Sequence, residues 1–155
     1  MLPYPTGNLF QDQTLFQQEK HYAALAPLMA ITGIFAHPVA STMLPLILFF
    51  IFYWRKMELA QLIALRAADL AFTAQLFMVT ASLLFAGYFS LYPTTEHDAH
   101  RLVTITTLIV LIYMVASFLI GTIQAFRGKA FKYFLSLKIA ERIYNAVSKK
   151  NIPRD

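Results

Sequence analysis

The stretch ALRAADLAFTAQL, residues 64–76, sets an arginine, Arg66, and an acid, Asp69, three positions apart in an otherwise apolar, small-residue run. On a helix that spacing puts the two on one face, within reach of each other. Where the pair sits decides how the chain divides into spans. Ionisable groups deep in hydrocarbon are costly and point to transport or relay chemistry, whereas the same groups at a membrane edge are ordinary.

No proline interrupts the pattern from Met57 to Tyr92. A helix over that range is about 54 Å long at about 1.5 Å per residue, more than a membrane is thick. Part of it must lie outside. Glu58, Gln61 and Arg66 fall in its first third, so Met57 to Leu65 reads as an interfacial or cytosolic lead-in and residues 70–92 as a span. From Leu70 to Leu91 the helix covers about 33 Å, enough to cross a hydrocarbon core of about 30 Å without Asp69. An acid in a first turn faces the positive end of the helix dipole, and an arginine one turn earlier snorkels to headgroups. Arg66 and Asp69 are therefore expected to mark the place where the helix meets the membrane.

Composition agrees with a lipid solvent. Of the 155 residues 58% are hydrophobic and only 14% charged, against about 25% charged in soluble globular domains. The first ten residues, MLPYPTGNLF, carry no basic start, apolar core or cleavage site, so no secretory signal is expected and the first membrane helix serves as the targeting signal. There is no cysteine, which removes disulfides, thiolate metal ligands and a cysteine nucleophile.

Outward from the opening stretch, residues 1–20 read as a polar amino-terminal tail, with Pro3, Pro5, Gly7 and a glutamine-rich segment, and with room for a short helix near Leu15 and Phe16. A membrane domain over 21–128 follows, with spans at 22–36, 39–54, 70–92 and 102–126. The first two are short and parted by His37-Pro38. They span only by borrowing flanking residues, thinning the bilayer or forming a re-entrant hairpin, and two full but short spans are the expectation. Pro27 and Pro45 should kink them. PTTEHDAH, residues 93–100, reads as a loop, and the RGK at 127–129 ends the fourth span. The predicted fold is all-α: a four-transmembrane-helix bundle with a cytosolic amphipathic carboxy-terminal helix.

Basic residues set the orientation. Lys20, Arg55, Lys56 and Arg66, with the eight that follow the fourth span, fall on one side, and Arg101 alone lies opposite. The positive-inside rule then puts both termini in the cytoplasm. Residues 129–155 form a basic tail in which FKYFLSLKI alternates apolar and polar, while Ile139, Ala140, Ile143, Tyr144 and Val147 recur at helical spacing. An interfacial segment followed by an amphipathic helix is expected. Arg127, Lys129, Lys132, Lys138, Arg142 and Lys149 are its candidates for contact with anionic headgroups or with a partner protein.

Other chemistry is sparse. His97 and His100 in EHDAHR are spaced for a metal ion beside Glu96 and Asp98, but real sites need three or four ligands, so no metal is expected there. His37 is expected in an interfacial turn. Gln75 and Gln124 are expected to hydrogen-bond between helices. Ala81, Ser82, Ala86 and Gly87, with Ser117 and Gly121, are expected to let the third and fourth spans approach closely. With no paired intramembrane acids, serine-histidine arrangement or phosphate-cradling glycine loop, no enzyme and no cofactor are expected.

GKAFKYFLSLKI, residues 128–139, resembles the signature that follows the last span in the Tic-twenty-like family of small four-span membrane proteins. Gly128, Phe131, Lys132, Tyr133, Leu135, Ser136 and Lys138 match, and Phe134 stands where that family has proline. YAALAPL at 22–28, LPLILFFIFYWRK at 44–56 and RAADLAF at 66–72 are similar to the family's earlier segments in order and spacing. The resemblance implies a four-span bundle with cytosolic termini. Its chloroplast members belong to the inner-envelope import translocon, and the absent transit peptide places this chain with the bacterial relatives. The expected role is an accessory or scaffold subunit of a bacterial inner-membrane complex. Its expected partners are anionic lipids and other membrane subunits; a homo-oligomer stays open, and nucleic acid is not among them. Channel or translocation component, and lipid-sensing module, are the alternatives.

Overall fold

The computed structural model describes residues 9–92, 96–137, 139 and 142, with side chains described from residue 17 onward. All regular structure among the described residues is helical: α1 is Leu9–Ala36, α2 Pro38–Trp54, α3 Glu58–Leu91 and α4 Glu96–Phe126. Two of the four, α3 and α4, are long and apolar enough to cross a membrane. On that criterion two of the four expected spans are supported. Helix α2 is apolar but has 17 residues, and α1 joins a polar first half to an apolar second half.

Helix limits follow from local chemistry. His37 has an extended backbone and its Nδ1 accepts from the Val39 amide at 3.2 Å, capping α2, while Pro38 occupies the first turn where an amide is dispensable. Helix α2 ends with Lys56 at φ 57, and α4 ends with Gly128 at φ 71. Each of these left-handed residues closes the same turn: Lys56 and Met57 donate back to Tyr53 and Phe52, as Gly128 and Lys129 do to Ala125 and Gln124. Residues 9–20, expected in a tail, are the first part of α1, and residues 96–100, expected in a loop, begin α4. Both helices run on through Pro27 and Pro45, whose side chains are fully buried.

Helix α1 packs against all three others, whereas α2 and α4 do not touch. Small residues make this possible. Ala23, Ala24, Ala26 and Ala30 of α1 are buried along with Ala60, Ala64, Ala67, Ala68 and Ala71 of α3, so the two backbones approach closely. At the α1–α2 tip a Cβ on Gly33 would lie 2.6 Å from the Ser41 backbone, which makes glycine obligatory there.

The register between helices divides the bundle into two storeys. Glu19 of α1 lies at the start of α3, Phe52 of α2 is level with Gln61, and the tip at Pro38 is level with Gln75. The α1–α2 hairpin therefore clothes only the first half of α3, where every residue from Ile63 to Ala71 is buried. Beyond Gln75, α3 and the facing first half of α4 stand without it, and Phe77, Val79, Leu83, Leu84, Ile105, Leu108, Ile109 and Ile112 are exposed. The small-residue approach expected there is not made: a Cβ on Gly87 would meet nothing within 4 Å. Gly121, at the other end of α4, packs on Tyr133 instead of α3.

Candidate functional site: the buried Arg66 clamp

Arg66 and Asp69 lie in the lower storey. From Glu58, Arg66 and Asp69 are about 12 and 16 Å along α3 at about 1.5 Å per residue. Neither is solvated as expected of an edge position: Arg66 is 8% exposed and Asp69 3%. The expectation of headgroup contact considered α3 alone and did not foresee this burial. With α1 and α2 wrapped around residues 60–71, a segment that would be interfacial on a bare helix becomes protein interior.

Arg66 reaches across to the chain that follows α4. Its Nη1 donates to the carbonyl oxygens of Ala130 at 3.0 Å and Phe131 at 3.5 Å. Further along, the Leu135 amide donates to the Tyr113 hydroxyl at 3.3 Å and the Leu137 amide to Thr73 Oγ1 at 3.1 Å. The Thr73 hydroxyl in turn donates to the Asp69 carbonyl. Residues 129–137 thus turn back and run along the α3–α4 side of the bundle, held by one side chain from α4 and two from α3. Backbone groups of a non-helical segment need such partners wherever water is scarce.

Alternation in FKYFLSLKI here becomes alternation of faces. Tyr133 is buried, Phe131 half-buried, and Lys132 and Phe134 point outward. The Tyr133 ring meets Phe118 edge-on at 5.9 Å and Phe131 at 5.2 Å, and its hydroxyl rests on Gly121. That hydroxyl has no hydrogen-bond partner. Burial pushes the phenol well above its ordinary range, and the nearby Arg66 guanidinium opposes the shift only in part.

Among the basic candidates, Arg127, Lys129, Lys132 and Arg142 are exposed. Lys138 and Lys149 lie outside the described residues, as does most of the expected amphipathic helix. His97 and His100 are exposed on the first turns of α4, and among the described residues no three His, Asp or Glu gather as a metal set would. Gln75 bridges α3 to the hairpin through the Pro38 carbonyl and Ser41 Oγ, the interhelical role expected of it.

No protein-family model, curated protein or solved structure matches the chain. Its own geometry therefore carries the reading.

Several residues were invisible to sequence reasoning. Glu19, in the supposed tail, accepts at Oε1 from the amides of Leu59 at 2.8 Å and Ala60 at 3.4 Å, so an acid of α1 caps α3. Gln61 donates to the Phe52 carbonyl at 3.2 Å. Tyr113, Thr73 and Tyr133 act only once the tail has folded back. Three cavities of about 650, 380 and 450 Å³ open on the surface, and neither Arg66 nor Asp69 lines any of them. The hydrogen bonds of such a site hold chain segments together.

Proposed function

We propose that the chain is a non-enzymatic integral protein of a bacterial cytoplasmic membrane, an accessory or scaffold subunit of a membrane complex with both termini in the cytoplasm. The observation that carries the membrane part is the outer surface of the upper storey. Large apolar side chains of α3 and α4 point outward, unlike those of a soluble protein's core helix. All six serine and threonine hydroxyls described there donate to a carbonyl of their own helix: Thr80, Ser82, Ser90, Thr104, Thr106 and Thr107, at 2.8–3.0 Å. A surface with its polar groups satisfied internally suits hydrocarbon.

The scaffold part is supported by how the buried and half-buried polar side chains are used. Glu19, Gln61, Arg66 and Gln75 each bind backbone of another segment, which is structural work. Lys20, Arg55, Lys56, Arg127 and Lys129 gather at the end of the bundle where Glu19 meets α3, and the positive-inside rule makes that end cytoplasmic. The likeness to the Tic-twenty-like family remains part of this proposal. Affinity purification in mild detergent tests it: a stoichiometric membrane partner is the expected result, and repeated recovery of the chain alone contradicts the scaffold role.

The burial of Arg66 and Asp69 favours a second reading, a channel or translocation component. Purified protein in liposomes would then show ion or solute flux altered by Asp69→Asn. Absence of flux in both forms rejects it.

A further inference from the structure

The α1–α2 hairpin is shorter than the helices it accompanies, and charged residues give the scale. Arg101 and Arg127 bound the apolar run of α4; they are about 39 Å apart at about 1.5 Å per residue, enough for a hydrocarbon core of about 30 Å with a few ångströms to spare at each end. Pro38 and Ser41 at the hairpin tip line one cavity with Gln75 of α3 and Val110 and Met114 of α4, which places the tip near the level of Val110. From Val110 the axis runs about 26 Å to Arg127 but only about 14 Å to Arg101. With the core centred between the two arginines, the tip ends roughly 9 Å below its outer edge. Counting along α3 agrees, since Gln75 lies about 26 Å from Glu58 and about 24 Å short of Leu91.

Polar chemistry at the tip conflicts with that depth. Pro38 has no amide to give the Ile34 carbonyl, and the Val39 amide is taken by His37 Nδ1. His37 itself is exposed. Helix-end carbonyls and an imidazole need water or protein partners. Below the tip, the outward side chains of α2 are apolar from Val39 to Trp54, a height of about 22 Å.

We propose that the α1–α2 hairpin is a re-entrant element that enters from the basic end and stops within the opposite leaflet, so that α3 and α4 alone cross the bilayer. On its hairpin side the protein then presents a shorter apolar height than on its α3–α4 side. The far leaflet is drawn down over His37 in thin bilayers and covers it in thick ones. This rests on the membrane reading above.

The chain has no cysteine, so single cysteines report one position each. Phe35→Cys marks the tip, at a side chain 74% exposed; His97→Cys marks the far end; Ile109→Cys marks an outward position near the tip's level. Each full-length variant is reconstituted in phosphatidylcholine vesicles of short (dimyristoleoyl) or long (dierucoyl) chains and treated with a membrane-impermeant maleimide. Labelling at F35C, taken relative to H97C so that insertion orientation cancels, should be substantial in the short-chain lipid and fall to the level of I109C in the long-chain lipid. A tip rate independent of chain length overturns the re-entrant hairpin. Labelling of I109C as fast as H97C in both lipids overturns the membrane reading itself, and the two failures are thereby told apart.

Discussion

The two storeys of this molecule solve one problem in opposite ways. In the lower storey, where α1 and α2 wrap α3, polar side chains reach across to other segments: Glu19 to the start of α3, Gln61 to α2, Arg66 to the returning tail. In the upper storey the serine and threonine hydroxyls turn back on their own helices, as Thr73 and Thr122 also do lower down, and they make up the polar bonding there. The difference teaches where protein is the solvent and where lipid is. A polar group with protein neighbours ties segments together, while one facing hydrocarbon does best by bonding to its own backbone.

Glycine substitution breaks the comparison most sharply. Gly33→Leu drives a side chain into the Ser41 backbone and should cost about 3 kcal/mol or more, read as a lowered unfolding midpoint in detergent. Gly87→Leu, on the upper storey with open space around it, should stay within about 0.5 kcal/mol of the parent. Equal sensitivity at the two sites would dissolve the distinction between storeys.

Arg66→Met comes next. It removes the donors to Ala130 and Phe131, and a loss of about 2 kcal/mol is expected from charged hydrogen bonds of this kind. Limited proteolysis should cut after Lys129 and Lys132 faster than in the parent while α3 and α4 stay intact. Unchanged cleavage would mean that Arg66 does not hold the tail.

Smaller effects sharpen the picture. Glu19→Ala uncaps α3 and should cost about 1 kcal/mol. Tyr133→Phe deletes a buried hydroxyl that has no partner, so a gain of up to about 1 kcal/mol is expected. It also has a pH signature. In the folded chain the phenol ionises above its unfolded value of 10.0, so stability is insensitive to this group below about pH 10 and falls as pH rises through that value and beyond. The parent should lose stability faster than Tyr133→Phe in alkaline titration. Parallel curves would show that the phenol is reached by water.

Much of the helical layout was legible in the residues. Long α3 follows from an apolar, proline-free run, and the hairpin break from His37-Pro38. Two boundaries were hidden because polar composition imitates a loop: Gln11 to Gln18 carry no apolar stripe, and EHDAH begins α4 with acids that the helix dipole favours at an amino terminus. Least legible was the site. Arg66 could be placed along its own helix by length alone, but its burial depends on α1 and α2, and its partners at Ala130 and Phe131 are far along the chain. No local pattern announces a tail that folds back. The same holds for Tyr133, which alternation marks as facing one way without saying what it faces.

On the membrane reading, α4 crosses a bilayer beside a lower storey of protein. Single cysteines at His97, Ile105, Ile109, Ile112, Ile120 and Arg127 in native membranes, treated with an impermeant maleimide from each side, test this most directly. The predicted result is labelling of His97 from one side only, of Arg127 from the other side only, and of none of the four isoleucine positions. Labelling of both ends from the same side, or of Ile109 from water, would contradict it.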